Sequence, residues 1–310
     1  MATIECKDLY KTYGQVHALN GLDLSISGHG VFGFLGPNGA GKTTTMKILT
    51  GLIRRTGGEC RVNGVDVNES SSDHRLHIGY LSQNPTYYHW MTGRELLNFV
   101  ADIFGFTASE KKSRTETLLE LAGLSKAANR KIGGYSGGMV QRLGIAQAMY
   151  HNPEVLFLDE PVSSLDPIGR KEVLDFIKAL KDNTTVFMST HILADVERVC
   201  DEVAIVDSGK VVAYGNTQKL MERYSSGYCR FAFENPEDAL KFSDLLENRK
   251  IQSNCSGESV RIKNLDFISN RSLILGETAE HKLSLIDISQ DSATLEDVFI
   301  HFVQGAGHGK

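Results

Sequence analysis

Gly36-Pro37-Asn38-Gly39-Ala40-Gly41-Lys42-Thr43-Thr44 is the stretch that decides how this chain is read. It fits G-x-x-x-x-G-K-[ST], the pattern of a phosphate-binding loop. Its flanks are those the pattern requires. Gly33-Phe34-Leu35 closes a short apolar run that reads as a buried strand, and Thr44-Thr45-Met46-Lys47-Ile48-Leu49 opens a helix. Glycines in such a turn reach dihedrals that a side chain forbids, so backbone N–H groups can close around phosphate oxygens. The helix start adds partial positive charge. In this pattern Lys42 reaches the terminal phosphates and the Thr43 hydroxyl ligates Mg²⁺. The competing reading is a glycine turn without a ligand. The bare pattern arises by chance in on the order of one chain in a hundred of this length. The strand before it and the helix after it lower that further.

Working outward, 310 residues suggest about two domains of ~150 residues each. Net charge is −5, so no global basic field attracts nucleic acid or anionic lipid. The five cysteines are scattered, odd in number and without a C-x-x-C pair. They read as reduced thiols of a cytosolic protein, not as a metal site. No apolar stretch approaches the ~18 residues that a membrane span needs. Any membrane association is therefore expected to come through a partner.

Residues 3–35 read as β structure, with Leu22, Leu24 and Ile26 alternating against Asp23 and Ser25. Asn20-Gly21 and Gly28-His29-Gly30 are the expected turns. Gly57-Gly58 and Asn63-Gly64 bracket a hairpin around Cys60-Arg61-Val62, and His77 to Ser82 reads as a strand running into Gln83. From Thr92 to Tyr150 the period becomes helical. Leu96, Leu97, Val100 and Phe104 mark one face, Leu118, Leu119, Ala122 and Leu124 another, and Gly123 a helix stop. Apolar strands return at Val155–Leu158, Val186–Met188 and Val203–Val206, with helices at about 168–181 and 192–200. This alternation describes a mostly parallel α/β sheet. Beyond a linker at Tyr224-Ser225-Ser226-Gly227, a β-α-β-β-α-β order is expected, the ferredoxin-like arrangement, followed by a helix at 294–303. The low-complexity end runs from Gly305 to Lys310.

Two motifs downstream of the loop narrow the chemistry. Val155-Leu156-Phe157-Leu158-Asp159-Glu160 is an apolar strand ending in two carboxylates. Asp159 would hold Mg²⁺ through water, and Glu160 is placed to polarise an attacking water as general base. Tyr135-Ser136-Gly137-Gly138-Met139 starts a helix that Ser136 can cap, with an N-terminus open to an anion. Taken alone, that motif is a plain helix cap.

Together the motifs resemble the ATP-binding-cassette (ABC) ATPases. The phosphate loop, Ser136-Gly137-Gly138, Asp159-Glu160-Pro161, Ser164-Leu165-Asp166 and Ser189-Thr190-His191 stand in the order and spacing of that family, over residues 1–220. Tyr135-Ser136-Gly137-Gly138-Met139 and the ending Ala293-Thr294-Leu295-Glu296-Asp297-Val298-Phe299 resemble the drug- and antibiotic-resistance, nodulation and ABC-2 type exporters. Met139 departs from the glutamine common at that place and cannot donate its hydrogen bonds. The resemblance implies a P-loop cassette of α/β class at 1–222. It comprises a mostly parallel sheet, an antiparallel β subdomain and a helical subdomain at about 84–152. A small α+β accessory or regulatory domain follows at 223–305.

The resemblance also implies site roles. Tyr13 looks like the aromatic that stacks on adenine, with Val16 packing beside it; an ordinary strand aromatic is the other reading of Tyr13. Asn38, Gly39, Ala40, Gly41, Lys42, Thr43 and Thr44 would hold the phosphates of ATP. Gln83 would touch Mg²⁺ or the attacking water, and His191 the γ-phosphate. Ser136, Gly137 and Gly138 would meet the ATP of a second cassette, identical or different, and Asp166 would sit between the two. The membrane partner implied is a permease, which makes the chain a peripheral protein of the cytoplasmic membrane face. No nucleic-acid partner is expected. Tyr87, Tyr88 and Trp90 read either as part of the permease groove or as core of the helical segment. The alternatives to an exporter are a non-transport ABC ATPase acting on nucleic acid or ribosome, an importer ATPase, and a regulatory module with a dead site. The single phosphate loop, the short interval before Ser136 and the set Lys42, Asp159, Glu160 and His191 weigh against the first and last of these.

Overall fold

A computed structural model describes residues 3–67, 73–224, 227–290 and 294–303. It divides into two compact units. The larger runs through Gln218 and takes in Phe302 and Val303; the smaller is Lys219–His301. Ser225, Ser226, Ala293 and the Gly305–Lys310 end lie outside the described residues.

The larger unit begins with strands β1 (Thr3–Tyr13), β2 (Val16–Ser27) and β3 (Gly30–Leu35), then helix α1 (Lys42–Leu49). β4 (Gly57–Val62), β5 (Val65–Asp66) and β6 (Ile78–Leu81) follow. The helical segment holds α2 (Gly93–Ile103), α3 (Ala108–Leu121) and α4 (Gly137–Ala148). The chain then alternates through β7 (Val155–Asp159), α5 (Pro167–Leu180), β8 (Thr185–Thr190), α6 (Leu193–Val199) and β9 (Glu202–Asp207). β10 (Lys210–Asn216) and α7 (Thr217–Tyr224) come last, and the division between the units falls within α7.

One sheet has the order β10-β9-β3-β8-β7-β6, with every pair parallel except β10 against β9. A second, antiparallel sheet has the order β2-β1-β4-β5. Their facing side chains form one core, in which Ile4, Leu22 and Leu24 join Phe34, Met46, Phe157 and Phe187. β3, β7 and β8 are buried along their whole length, which explains the apolar runs at their centres, Val155–Leu158 in β7 and Val186–Met188 in β8. Parallel register fixes the site: Leu35 lies opposite Thr190, and Asp159 opposite Ser189. The carboxyl ends of β3, β7 and β8 therefore finish together, where open α/β sheets bind ligands.

The helical segment is built from local signals. Thr92 with Glu95, and Thr107 with Glu110, form capping boxes that start α2 and α3. Leu96, Leu97, Val100, Leu118 and Leu119 are buried. Phe104 caps the end of α2, still in helical conformation with its N–H on the Val100 carbonyl at 3.1 Å, and its ring stacks on His151 at 4.4 Å. Asn20-Gly21 is not a turn. Leu9 pairs with Leu22 and Tyr10 with Asn20, so Gly21, at φ 81, is the extra residue of a bulge inside β2. α1 starts at Lys42, two residues before the expected Thr44, because Gly41 caps it in a left-handed conformation.

The smaller unit contains β11 (Tyr228–Phe233), α8 (Pro236–Asn248), β12 (Ser253–Ser256), β13 (Ser259–Lys263), α9 (Asn264–Glu280) and β14 (Leu285–Gln290), and α10 (Leu295–Val303) begins in it. Its sheet order is β12-β13-β11-β14, antiparallel throughout. Each of α8 and α9 thus joins two strands that have a third between them. Phe231, Phe233, Phe242, Val260 and Ile262 form its core. Among the described residues no helix is long and apolar enough to cross a membrane.

Candidate active site

The phosphate loop is shaped by two glycines that nothing else could replace. A Cβ on Gly36 would lie 2.4 Å from the Val206 carbonyl oxygen. Gly41 has φ 102, and its Cβ would lie 2.7 Å from the Ala18 carbonyl oxygen. The loop is thus clamped between β2 and the end of β9. Gly209 N–H donates to the Ala40 carbonyl at 3.1 Å and secures it further.

Lys42, 6% exposed, curls back over this loop and donates to the Gly36 and Pro37 carbonyls at 2.8 and 3.2 Å. Its Nζ also lies 3.4 Å from Glu160 Oε1. The Thr43 hydroxyl donates to Asp159 Oδ1 at 3.3 Å. His191 Nδ1 meets Glu160 Oε2 at 2.8 Å. Five side chains expected to act together thus stand as two neighbouring groups, Thr43 with Asp159 and Lys42 with Glu160 and His191, although Lys42 and His191 are 149 positions apart in the sequence. Near this set, burial and then the Asp159 charge push the Tyr80 phenol up to about 12.

A cavity of about 380 Å³ opens beside the set. Tyr13, Val16, Asn38, Gly39, Gly41, Lys42, Thr43, Thr44, Gln83 and Glu160 line it. Tyr13 and Val16 face each other across the two-residue β1–β2 turn, and Lys11 Nζ lies 4.8 Å from the Tyr13 ring centroid. His17 and Ala18 also line the cavity and were not expected there. Ala40 is buried beneath the loop.

Ser136, Gly137 and Gly138 are not brought to this cavity. Ser136 caps α4, accepting from the Met139 N–H at 3.3 Å. Gly138 packs on Gly169 of α5, whose first turn is capped by Asp166 at 2.8 Å. Arg170 of α5 donates to buried Asp195 of α6 at 2.6 Å, and burial pushes the Asp195 carboxyl up despite that bond.

Sequence reasoning gave no task to Ser189. It is fully buried, donates to Asp159 Oδ1 at 2.6 Å, and accepts the Glu160 N–H at 3.1 Å. The available signal was a polar residue closing the apolar strand Val186-Phe187-Met188.

The ABC transporter family model matches residues 19–163, which contain the phosphate loop, Ser136-Gly137-Gly138 and Asp159-Glu160. The chain is 37% identical over 302 residues to YxlF of Bacillus subtilis (strain 168), an uncharacterized ABC transporter ATP-binding protein. That match spans 97% of this chain and 99% of the relative. The chain belongs to the ABC transporter ATP-binding proteins. It is 34% identical to the bacitracin transport ATP-binding protein BcrA of Enterococcus faecalis, over 98% of this chain and 97% of the relative. A dimeric ATP-binding cassette solved in a post-hydrolysis state with ADP and Pi matches with a TM-score of 0.61 at 26% identity. It covers 69% of this chain and 98% of that one. As a member of the family the chain is an ATPase, the ATP-binding subunit of a transporter, and the part of it that solved cassettes cover has the fold of the ABC cassette.

Proposed function

We propose that this ABC subunit powers an exporter. In this reading two cassettes close head to tail on ATP and pass the motion to a membrane permease. The observation that carries it is the convergence of Lys42, Thr43, Asp159, Glu160 and His191 at one end of the parallel sheet. The antibiotic-transport name of a relative similar over nearly the whole length supports transport of such a substrate. The Tyr135–Met139 and Ala293–Phe299 sequence signatures support the export direction.

The donor set fits Mg²⁺. Thr43 and Asp159 offer hard oxygen atoms, and Gln83 lines the same cavity. Among the described residues no three His, Cys, Asp or Glu side chains gather into a metal cage. An octahedral ion would thus keep water and phosphate oxygens as its other ligands. When bound, Mg²⁺ supplies charge neutralisation at the β- and γ-phosphate oxygens.

This chain's own residues do the rest. Tyr13 and Val16 hold the adenine, and the loop from Asn38 to Thr44 cradles the phosphates. Lys42 neutralises charge that develops on the γ-phosphate. Glu160, fixed by Lys42 on one oxygen and His191 on the other, orients the attacking water. Ser136, Gly137 and Gly138 of one cassette complete the site of the other. ATP then favours the closed pair, and hydrolysis removes that preference.

Trp90 and Tyr88, 67% and 62% exposed, lie with tilted rings 5.6 Å apart in the segment after Gln83. Their exposure favours the permease groove over the core of the helical segment. Docking there would place the subunit on the cytoplasmic face of the membrane.

Glu160→Gln is expected to hold an ATP-bound dimer with little phosphate release. Size-exclusion chromatography and a phosphate assay check it. A variant that stays monomeric in ATP, or turns over at the original rate, overturns the reading.

A further inference from the structure

The ends of β7 and β8 meet at one hydroxyl. Ser189 sits opposite Asp159 in the parallel register and is fully buried. The direction of its hydrogen bonds is forced. The Glu160 N–H can only donate, so the Ser189 oxygen accepts there at 3.1 Å and its own proton goes to Asp159 Oδ1 at 2.6 Å. Thr43 donates to the same Oδ1 at 3.3 Å. With Oδ1 engaged twice, Oδ2 is the oxygen left for a metal-bound water.

The neighbouring Glu160 has φ 50, a left-handed conformation that is uncommon for a residue other than glycine. Its N–H is shared between the Ser189 hydroxyl and the Ser189 carbonyl, the latter at 3.2 Å. Strain of this kind persists where surrounding bonds determine it. The left-handed turn sends two carboxylates that are adjacent in sequence to different tasks. Asp159 faces Thr43, and Glu160 faces Lys42 and His191. The other buried hydroxyls of this strand serve the backbone, Thr185 donating to the Gly28 carbonyl and Thr190 accepting the Ile192 N–H, whereas Ser189 alone of the three bonds a site carboxylate.

We propose that Ser189 is a positioning residue of the ATPase site, its single hydroxyl orienting Asp159 toward the metal and fixing the backbone turn that aims Glu160 at the attacking water. The proposal rests on the roles given above to Asp159 and Glu160. Buried polar groups with every bond satisfied specify one arrangement, and partners of a metal-holding carboxylate tune it by about 10–100-fold.

The test compares Ser189→Ala, Ser189→Thr and Asp159→Asn in the full chain. Mn²⁺ binding to the ATP-loaded protein is read by electron paramagnetic resonance, alongside turnover, ATP binding in EDTA and thermal melting. Ser189→Ala is expected to weaken Mn²⁺ binding by about tenfold and lower kcat by at least about tenfold. ATP binding in EDTA stays within about twofold, and Thr, which keeps the hydroxyl, restores both losses. Unchanged Mn²⁺ affinity in Ser189→Ala overturns the proposal, including the case where melting and metal-free ATP binding fall, which would make Ser189 a stability residue only. If Asp159→Asn weakens Mn²⁺ and Ser189→Ala does not, this inference alone fails. If Asp159→Asn leaves Mn²⁺ affinity intact, the reading of the site beneath it fails.

Discussion

Two helices of the larger unit start with the same chemistry in opposite settings. α1 begins after Gly41 and α4 after Ser136, and each presents unpaired N–H groups and a partial positive charge at its start. α1 begins inside a set of charged side chains: Lys42 contacts Glu160, and Thr43 contacts Asp159. α4 begins with Ser136 and Gly137 exposed. The Leu165 side chain and the Gly169 backbone pack against its two glycines, and the Arg130 guanidinium reaches the Met139 sulfur at 3.9 Å, but among the described residues no carboxylate is recorded against this turn. A helix N-terminus can therefore attract an anion, but strand ends carrying carboxylates and a lysine are needed to act on one. α1 has these within its own chain. In the proposed mechanism α4 meets them only when a second cassette brings its loop.

The comparison can be broken by experiment. The largest effect is expected from Lys42→Ala, which removes the cation at the α1 start. Turnover should fall by at least about 100-fold, the scale for losing a charge-stabilising donor, as read by phosphate release. A loss below tenfold would mean that the α1 start owes little to its charged surroundings. Ser136→Glu comes next. A carboxylate is compatible with a helix N-terminus, so α4 should hold, while its charge repels the γ-phosphate of a facing cassette. Turnover and ATP-dependent dimerisation should drop by about tenfold or more, with the nucleotide affinity of the monomer within about twofold. If monomer affinity falls in parallel, the two helix starts are not separate half-sites. The smallest effect on the ATPase is expected from Trp90→Ala, which belongs to neither start. ATP binding and melting should be unchanged, and association with the permease weaker by about tenfold, measured by co-purification from membranes. Unchanged association would remove Trp90 from the permease groove.

Much of this site was legible because its signals are local. Gly36 to Thr44, Asp159-Glu160 at the end of an apolar run, the Ser136 cap and the Gly123 stop each depend on a few neighbouring residues. What escaped depends on distant partners. Asn20-Gly21 has turn chemistry, yet its backbone is absorbed as a bulge between β1 and β2. β10 was missed because its exposed, weakly alternating residues belong to a sheet edge, where burial imposes little pattern.

By itself, the sequence determined that a phosphate loop joins a buried strand to a helix, and which residue types are available to nucleotide chemistry. It did so because backbone reach, capping and side-chain period act over a few residues. Tertiary structure alone decided that Ser189 stands across from Asp159, that Glu160 turns toward Lys42 and His191, and that Ser136 stays away from its own chain's loop. Those outcomes follow from strand order and parallel register, which are set by burying two faces of a sheet at once and leave no mark on any single stretch of sequence.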